Sequence, residues 1–476
     1  MHCHIMSTRR AFVALVLSAT PTLAQRPVQP SDARIDSIFV AYDKPDSPGC
    51  ALGVYRDGQI AYARGFGMAD LERNVPITPR TVFDIGSTAK QFAAATIVML
   101  AADGKLSLDD DLRRHIPELP AYEQPITIRQ MLHHTSGLRD YIDLLTLAGE
   151  RLDGVTTADE ALAMLVRQRE LNFTPGSAHL YSNSGYFLFS IIVERVTGRS
   201  LREVAQERIF TPLGMTHTEY LGSYDDLIPH RAIAYAPRPD KRLRVDVSRW
   251  AQLGDGAIFT TVEDLLRWDE NFYTARVGGA GMLEALHTRG VLTDGDTLAY
   301  ALGLIHGTHR GLRTVSHGGS WGGYRAELLR FPDQHFSVAT LCNLATSDPS
   351  TLSMRVAEVN LGTQMEPVVA RNAGSAAGTA QAPAVSVPVA KLREVAGIYR
   401  DSARGRCERS SSTETSCTSV WAGGSRCSRA ATPRSPSSAL RRSCRSCSGG
   451  RQATAHTGFG LPSTQTARCS STESRR

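Results

Sequence analysis

The sequence has few lysines, no long apolar run and, over most of its length, few cysteines. A polytopic membrane protein is excluded because the apolar run at 11–19 is too short to cross a bilayer, which takes about 20 residues. The 40 glycines and 23 prolines follow no collagen-like period, and the sequence shows no coiled-coil pattern and no internal repeat. The composition, 42% apolar and 21% charged, is that of an ordinary globular protein.

The carboxyl-terminal segment 402–476 differs from the rest of the chain. From residue 401 onward there are 13 arginines, no lysine, 4 acidic residues, 18 serines and six of the nine cysteines. So few large apolar side chains cannot offset the entropy of folding, and the segment is predicted to be disordered. The chain's 48 arginines against 5 lysines indicate GC-rich codons, so we also hypothesise a reading-frame shift near residue 402. The alternative is a genuine basic arm that binds an anionic polymer.

The amino terminus is typical of an export signal. Arg9 and Arg10 precede the apolar run, and Thr22-Leu23-Ala24 provides a small-residue cleavage site. We therefore expect residues 1–24 to be a signal peptide, and the mature protein to be secreted or periplasmic without a membrane span. Cys50 and Cys342 are then the pair in the folded body that could form a disulfide, and their spacing does not decide whether they do.

Strand patterns lie at both ends of the body, and helical patterns lie between them. An Asp57-Gly58 turn predicts a hairpin around 50–62, and Pro332-Asp333 predicts a second one between 323–331 and 336–342. Helical patterns cover 87–102 and 184–196. This order predicts an antiparallel sheet closed by the two ends of a domain spanning 31–362. A linker rich in alanine and proline (363–390) and the start of a small new unit (391–401) follow.

Ser87 and Lys90 are the first candidates for catalysis. Their spacing of three residues places both side chains on one face of a helix. A buried lysine can lose its charge and take the proton of a serine hydroxyl, and the amides at a helix start can stabilise an oxyanion. An isolated match would equally describe a lysine in solvent at a helix start, but the preceding strand-like Phe83-Asp84-Ile85-Gly86 supports the catalytic interpretation.

Two further segments carry polar groups suited to the same chemistry. Tyr181 can relay a proton and the Asn183 amide can hold a substrate carbonyl, although a packed tyrosine beside an N-capping asparagine has the same pattern. In His317-Gly318-Gly319-Ser320 the two glycines let a substrate approach the backbone, and the N–H groups of Ser87 and Ser320 could form an oxyanion hole.

With these segments the chain resembles the serine β-lactamase and penicillin-binding-protein family, in the branch of class C β-lactamases, D-alanyl-D-alanine carboxypeptidases, D-aminopeptidases and related esterases. The resemblance covers roughly 31–361 and also includes the segments 132–138, 181–186, 209–215 and 259–265. It implies an α+β fold in which a five-stranded antiparallel sheet is flanked by helices, with a mostly helical lobe beside it. It further implies Ser87 as nucleophile, Lys90 as its base and Tyr181 as proton relay, with the order of proton transfer between Lys90 and Tyr181 left open. The segment at 391–401 resembles the start of the small β-barrel domain that some members carry.

One segment departs from the family pattern. The third motif commonly reads Lys-Thr-Gly or Lys-Ser-Gly and holds a substrate carboxylate, whereas this chain has His317 and Gly318 there. A mostly neutral histidine and a glycine should bind a carboxylate more weakly, unless Arg325 compensates. We therefore expect hydrolysis of esters or D-amino-acid peptides and amides. The alternatives are a true β-lactamase or carboxypeptidase, and a catalytically silent protein that binds peptidoglycan fragments.

Two other kinds of pattern in the sequence compete with this interpretation. Segment 318–322 matches the Gly-x-Ser-x-Gly elbow of α/β-hydrolases, but the following residues alternate like a strand instead of forming a helix. Two histidine pairs, His133 with His134 and His306 with His309, have no third metal ligand in a recognisable spacing. We expect a small-molecule or peptide substrate, no metal, no cofactor and no nucleic-acid partner; the oligomeric state is not predicted.

Overall fold

The computed structural model describes residues 30–367, 398–400 and 407–409. The strands, in chain order, are β1 (Cys50–Arg56), β2 (Gln59–Phe66), β3 (Met68–Asp70), β4 (Val75–Pro76), β5 (Phe83–Asp84), β6 (Val155–Thr156), β7 (Glu219–Tyr220), β8 (Tyr235–Pro237), β9 (Leu243–Val245), β10 (Arg249–Trp250), β11 (Ile258–Thr260), β12 (Ile305–His309), β13 (Leu312–Trp321), β14 (Tyr324–Phe331), β15 (Phe336–Cys342), β16 (Ile398–Arg400) and β17 (Cys407–Arg409). The helices are α1 (Pro30–Phe39), α2 (Lys90–Ala102), α3 (Leu112–His115), α4 (Ile128–Leu132), α5 (Tyr141–Leu147), α6 (Ala158–Val166), α7 (Asn183–Thr197), α8 (Leu201–Ala205), α9 (Thr211–Leu213), α10 (Val262–Thr274), α11 (Gly279–His287) and α12 (Pro349–Leu361). Short 3-10 turns occupy Gly86–Ala89 and Pro332–Gln334, and a π turn occupies Gln206–Phe210.

The main sheet has six strands in the order β12-β13-β14-β15-β1-β2, and every neighbouring pair is antiparallel. Both predicted hairpins are present, and Asp57 and Gly58 take the positive φ values that a tight hairpin turn requires. Pairing of β1 with β15 joins the two ends of the domain, as expected. The predicted fold class is confirmed, with one strand more than the five expected. The additional edge strand β12 reads Ile-His-Gly-Thr-His and is largely exposed, so it lacks the apolar alternation that signals a strand.

Both faces of the sheet are covered, which explains why its central strands are apolar on both sides. Along β1, Cys50, Leu52 and Val54 face a cluster built with α1 and α12. Ala51 and Tyr55 face the larger core that contains α2, α7 and α10. The period of two thus directs alternate side chains into two different cores.

A disulfide joins Cys50 and Cys342. The two residues are direct register partners on β1 and β15, and both are fully buried in the α1 and α12 cluster. The bond therefore links positions 292 residues apart in sequence at the place where the two ends of the domain meet.

A buried ion pair connects the sheet to α10. Arg330 Nε of β14 donates to Asp269 Oδ1 at 2.7 Å, and both side chains are almost completely buried. Ser337 also donates to Asp269, and Gln91 accepts from Arg330. Burial raises the pKa of Asp269, whereas the positive charge of Arg330 opposes that rise. Because the interior cannot solvate a lone charge, each partner depends on the other.

Several predicted segments lie outside the described residues. These are the signal peptide 1–24, the linker beyond residue 367, most of 391–401, and nearly all of the tail 402–476. Within the last two, β16 and β17 pair as antiparallel strands. In the part of the chain that is described, no helix is both long enough and apolar enough to cross a membrane.

Candidate active site

Ser87 lies on a short turn between a strand and a helix. The turn Gly86–Ala89 follows β5 and leads directly into α2. Asp84 Oδ1 accepts the Gly86 N–H at 2.7 Å, and Gly86 has φ of +49°, a conformation in which a side chain would be strained. The regular helix begins at Lys90 and not at Ser87 as the pattern suggested, because the preceding residues form a tighter 3-10 turn.

Lys90 is completely buried and points back to Ser87. Its Nζ donates to Ser87 Oγ at 3.0 Å, to Asn183 Oδ1 at 2.9 Å and to the carbonyl oxygen of Asp255 at 2.7 Å. The expected pairing of serine and lysine is therefore present as a direct hydrogen bond. Three acceptors around one ammonium group fix where its hydrogens point.

Burial lowers the pKa of Lys90 to about 8, against the opposing negative charges of Asp255 and Asp140. At pH 7 roughly one molecule in ten then carries a neutral Lys90, far more than for a lysine in water. A neutral amine 3.0 Å from the Ser87 hydroxyl can accept its proton.

Tyr181 lies beside the same pair. The Lys90 Nζ is 4.9 Å from the centre of the Tyr181 ring, so the ammonium faces the electron-rich side of the phenol. Burial raises the pKa of Tyr181 well above its ordinary value, and a hydrogen-bond interaction with Ser87 opposes this rise. The three residues predicted to be catalytic are thus brought together, with Tyr181 in its protonated form at neutral pH.

Asn183 is the first residue of α7 and not its N-cap, which is Ser182. Its side-chain oxygen accepts from Lys90, while its backbone N–H and its Nδ2 both donate to Asp140 Oδ2, at 2.6 and 2.9 Å. Asp140 in turn caps α5. Asn183 therefore orients Lys90 in this structure, whereas its predicted contact with a substrate carbonyl stays a prediction.

Strand β13 closes the other side of the site. Its pairing with β12 ends at Ser316, and beyond that point its open side faces the Ser87 turn. A Cβ on Gly319 would lie 1.8 Å from the Ile85 carbonyl oxygen, and one on Gly86 would lie 2.7 Å from the Ser320 nitrogen. The absence of both side chains lets the Ser87 turn and Ser320 approach closely, which is the arrangement that an oxyanion hole of Ser87 and Ser320 N–H groups would require.

His317 is buried, and both of its ring nitrogens have partners. Nδ1 donates to the Gly318 carbonyl oxygen at 2.7 Å, and Nε2 accepts from the Tyr300 hydroxyl at 3.1 Å. Burial and the nearby charge of Lys90 lower the pKa of His317 to about 4. It is therefore neutral at pH 7 and supplies no positive charge to a substrate carboxylate.

Two further predicted binding residues, Arg325 and Gly318, supply no positive charge beside Ser87 either. Arg325 Nη1 donates to the carbonyl oxygens of Gly322 and Tyr324 in the turn between β13 and β14, and no contact among the described residues joins it to Ser87 or Lys90. A Cβ on Gly318 would meet Glu327 Oε2 at 3.0 Å, so this position faces a buried carboxylate. The prediction that Arg325 compensates for the missing lysine has no support in these contacts.

Sequence reasoning missed four residues around Lys90: the half-buried Asp140 and the buried Asp255, His134 and Tyr300. They follow no spacing that refers to Ser87, because loops and helix ends from distant parts of the chain carry them. The centre of the His134 ring lies 4.2 Å from that of Tyr181 and 4.6 Å from that of Tyr300. Its Nδ1 accepts from the Ser182 N–H. Only His134 carried a signal, as a member of the segment 132–138.

The residues of the hydrolase-elbow pattern and of the two histidine pairs make other contacts in the structure. Ser320 belongs to a strand paired with Arg325 of β14, so the strand, turn and helix of a hydrolase elbow are not formed there. His133 contacts the backbone oxygens of Arg129 and Thr288, and His309 contacts Glu358. Among the described residues no group of three or more potential metal ligands occurs.

Comparison with known proteins agrees with this geometry. The model of the family described as Beta-lactamase matches residues 35–361. The chain belongs to this family. It is 29% identical over 315 residues to a D-aminopeptidase of Brucella anthropi, covering 66% of this chain and 59% of that protein. It is 30% identical over 318 residues to a D-aminopeptidase of Cereibacter sphaeroides, covering 65% and 59%. The β-lactamase-family chain thus spans about three fifths of the length of these relatives.

Solved structures show the same fold. The octameric penicillin-binding protein homologue from Pyrococcus abyssi matches with a TM-score of 0.62 and 26% identity, over 79% of this chain and 83% of that one. D-amino acid amidase from Ochrobactrum anthropi SV3, in complex with L-phenylalanine amide, matches with a TM-score of 0.58 and 22% identity, over 70% and 99%. The resemblance and the fold expected from the sequence are confirmed, and a serine hydrolase is the kind of enzyme these relatives indicate.

Proposed function

We propose that this β-lactamase-family protein hydrolyses amides, peptides or esters of D-amino acids through an acyl-enzyme on Ser87. The observation that carries the proposal is the 3.0 Å hydrogen bond between Ser87 Oγ and the buried Lys90 Nζ. The D-aminopeptidases among its relatives support the choice of substrate.

Acylation follows from this arrangement. Neutral Lys90 takes the hydroxyl proton as Ser87 Oγ attacks the substrate carbonyl carbon, and the carbonyl π electrons move onto oxygen. The N–H groups of Ser87 and Ser320 stabilise that oxyanion. When it collapses, the C–N or C–O bond to the leaving group breaks, and the leaving group takes a proton that returns from Lys90 through the Tyr181 hydroxyl.

Deacylation repeats the sequence with water. A water molecule that reaches the acyl carbon loses a proton to the same pair, Lys90 and Tyr181, and attacks the ester. Ser87 leaves with a proton and the acid product is released. No further group is needed for atoms and charge to balance.

The electrostatics favour substrates without a carboxylate near β13. His317 is neutral, and Arg325 is bonded to its own turn. A free carboxylate, such as that of a penicillin or a D-alanine terminus, would therefore meet no cation from either residue. This supports an aminopeptidase, amidase or esterase over a carboxypeptidase or an efficient β-lactamase.

A silent binding protein is the other candidate class. It would be expected to lose the nucleophile or its base, whereas here Ser87, Lys90 and Tyr181 are present and in mutual contact. These contacts support an enzyme over a silent binding protein.

We also propose that the protein is exported, with residues 1–24 as its signal. The buried disulfide between Cys50 and Cys342 supports an oxidising compartment. Cell fractionation tests this: a processed protein in the periplasm or the medium supports export, and an unprocessed protein in the cytoplasm contradicts it.

The function is tested with the full chain and matched substrates. D-alanine p-nitroanilide, its L enantiomer and p-nitrophenyl acetate are compared for the wild type and for Ser87→Ala. We expect turnover that depends on Ser87 and favours the D enantiomer. Equal rates for both enantiomers would contradict the proposed preference for D-amino acids. Turnover that persists in Ser87→Ala would contradict the proposed role of Ser87 as nucleophile.

A further inference from the structure

Asp255 lies in the loop before β11 and contacts the candidate base through its backbone. Its carbonyl oxygen accepts from Lys90 Nζ at 2.7 Å. Its carboxylate accepts from the Tyr141 hydroxyl at 2.9 Å. The side chain is buried, and among the described residues no arginine, lysine or histidine forms an ion pair with it.

Few charged groups face Lys90 from the elements packed around it. His317 of β13 and His134, which follows α4, are neutral at pH 7 because burial lowers the pKa of both. Tyr181 and Tyr186 present the faces of their rings. Among residues 30–367, two carboxylates act on the lysine charge, Asp140 and Asp255.

These two carboxylates are held differently. Asp140 accepts three hydrogen bonds, two from Asn183 and one that caps α5. The side chain of Asp255 accepts from the Tyr141 hydroxyl and interacts with its own backbone N–H. The other titratable groups near Asp255 include Asp84, whose pKa burial raises to about 7, and Tyr181 and Tyr220, which burial keeps protonated. Lys90 is therefore the cation that compensates the Asp255 carboxylate.

We propose that Asp255 is a positioning residue for the base: its carbonyl oxygen fixes the Lys90 amine, and its carboxylate, oriented by Tyr141, sets the pH at which Lys90 accepts the Ser87 proton. The inference rests on the proposed function, since it assigns a role within the same site.

The direction of the effect follows from the charges. The Asp255 carboxylate favours the protonated form of Lys90 and so raises its pKa. Asp255→Asn keeps the backbone carbonyl but removes the charge, so Lys90 loses its proton at lower pH. An opposite charge in such a cluster changes a pKa by about 1 to 3, and the midpoint of the acid limb of kcat/KM should fall by at least about 1 pH unit.

Tyr141→Phe provides a second variant. The tyrosine hydrogen bond lowers the pKa of Asp255, which burial raises to about 6. Without that bond the carboxylate is protonated over a wider range near neutral pH. The acid limb should therefore move in the same direction as for Asp255→Asn, but less.

The kinetic test uses p-nitrophenyl acetate, the full chain and pH 5 to 10. Asp255→Asn and Tyr141→Phe should lower the midpoint, and Asp255→Glu should restore it toward the wild-type value. Asp143→Asn is the matched control, because Asp143 lies two residues from Tyr141 on α5 and does not act on Lys90. A uniform loss of rate with an unchanged midpoint in Asp255→Asn would overturn the proposal.

A direct titration separates this inference from the proposed function. The chain has five lysines, so ¹³Cε-lysine labelling gives few NMR signals. The signal that disappears in Lys90→Arg is assigned to Lys90. Its titration midpoint should fall in Asp255→Asn even if the protein hydrolyses none of the substrates. If Asp255→Asn does not fold, Tyr141→Phe is measured in the same way. An unchanged Lys90 midpoint in a folded variant contradicts the proposal, whatever the turnover.

Discussion

Thr88 Oγ1 donates a hydrogen bond of 3.1 Å to the carbonyl oxygen of His317. This bond joins the turn that carries Ser87 to the strand that carries the third sequence motif. The geometry of the site therefore depends on close contact between two backbone segments more than 200 residues apart in sequence.

Gly319→Ala should disrupt this contact, because the new Cβ would lie 1.8 Å from the Ile85 carbonyl oxygen. Displacing the Ser87 turn by even about 1 Å can cost on the order of 100-fold in rate, and we expect at least that loss in kcat/KM. The matched control is Gly318→Ala, whose Cβ would approach the nearest atom only to 3.0 Å. Equal activity of the two variants, measured with p-nitrophenyl acetate, would contradict this account of the site.

His317→Lys should change the preference between substrates. A lysine there restores a cation near β13, and a hydrogen bond to a charged group contributes about 1.5–3 kcal/mol, which is roughly 10-fold or more in kcat/KM. The readout is the ratio of rates for an acyl-D-alanyl-D-alanine peptide and its carboxyl-terminal amide. The ratio should rise in favour of the free carboxylate, and an unchanged ratio would show that His317 does not determine this selectivity.

Asp269→Asn should destabilise the fold without changing the chemistry of Ser87. It leaves the buried Arg330 without its counter-charge, and breaking such a pair costs about 3–5 kcal/mol. Urea unfolding followed by circular dichroism measures the loss. The control is Asp240→Asn, which removes an exposed ion pair with Arg242 and should leave the unfolding midpoint unchanged. Similar midpoints for both variants would contradict the structural role of the Arg330 pair.

Removing the disulfide should also lower stability. The double variant Cys50→Ala with Cys342→Ala releases a constraint between residues 292 positions apart, and loss of a native disulfide typically costs about 2–5 kcal/mol. In the wild type, free-thiol labelling after unfolding without a reductant should detect no thiol at Cys50 or Cys342. Labelling of both would show that the bond is not formed.

Local patterns were enough to predict the main parts of the fold. Asp57-Gly58 and Pro332-Asp333 specify hairpin turns by their own backbone preferences, and both hairpins are present. Edge strand β12 could not be predicted, because a polar, exposed strand owes its conformation to its neighbour β13 and not to its own sequence.

The residues of the site could be predicted where they lie close together in sequence or beside a recognisable helix. Ser87 and Lys90 are neighbours on one turn, and Tyr181 lies just before a recognisable helix. Asp255 and Asp140 could not be found in this way, because they reach Lys90 only through tertiary packing. The presence of His317 where the family has lysine was visible in the sequence, but its neutral state was decided by burial and by the nearby charge of Lys90.

The most direct test of the central claim is the intact mass of the full chain during turnover of a D-amino-acid ester, quenched in acid. We predict a mass increase equal to the acyl group, located by peptide mapping on Ser87. It should be absent in Ser87→Ala, whose kcat should fall by at least about 1,000-fold. An acyl group on Ser320, or undiminished turnover in Ser87→Ala, would contradict the account.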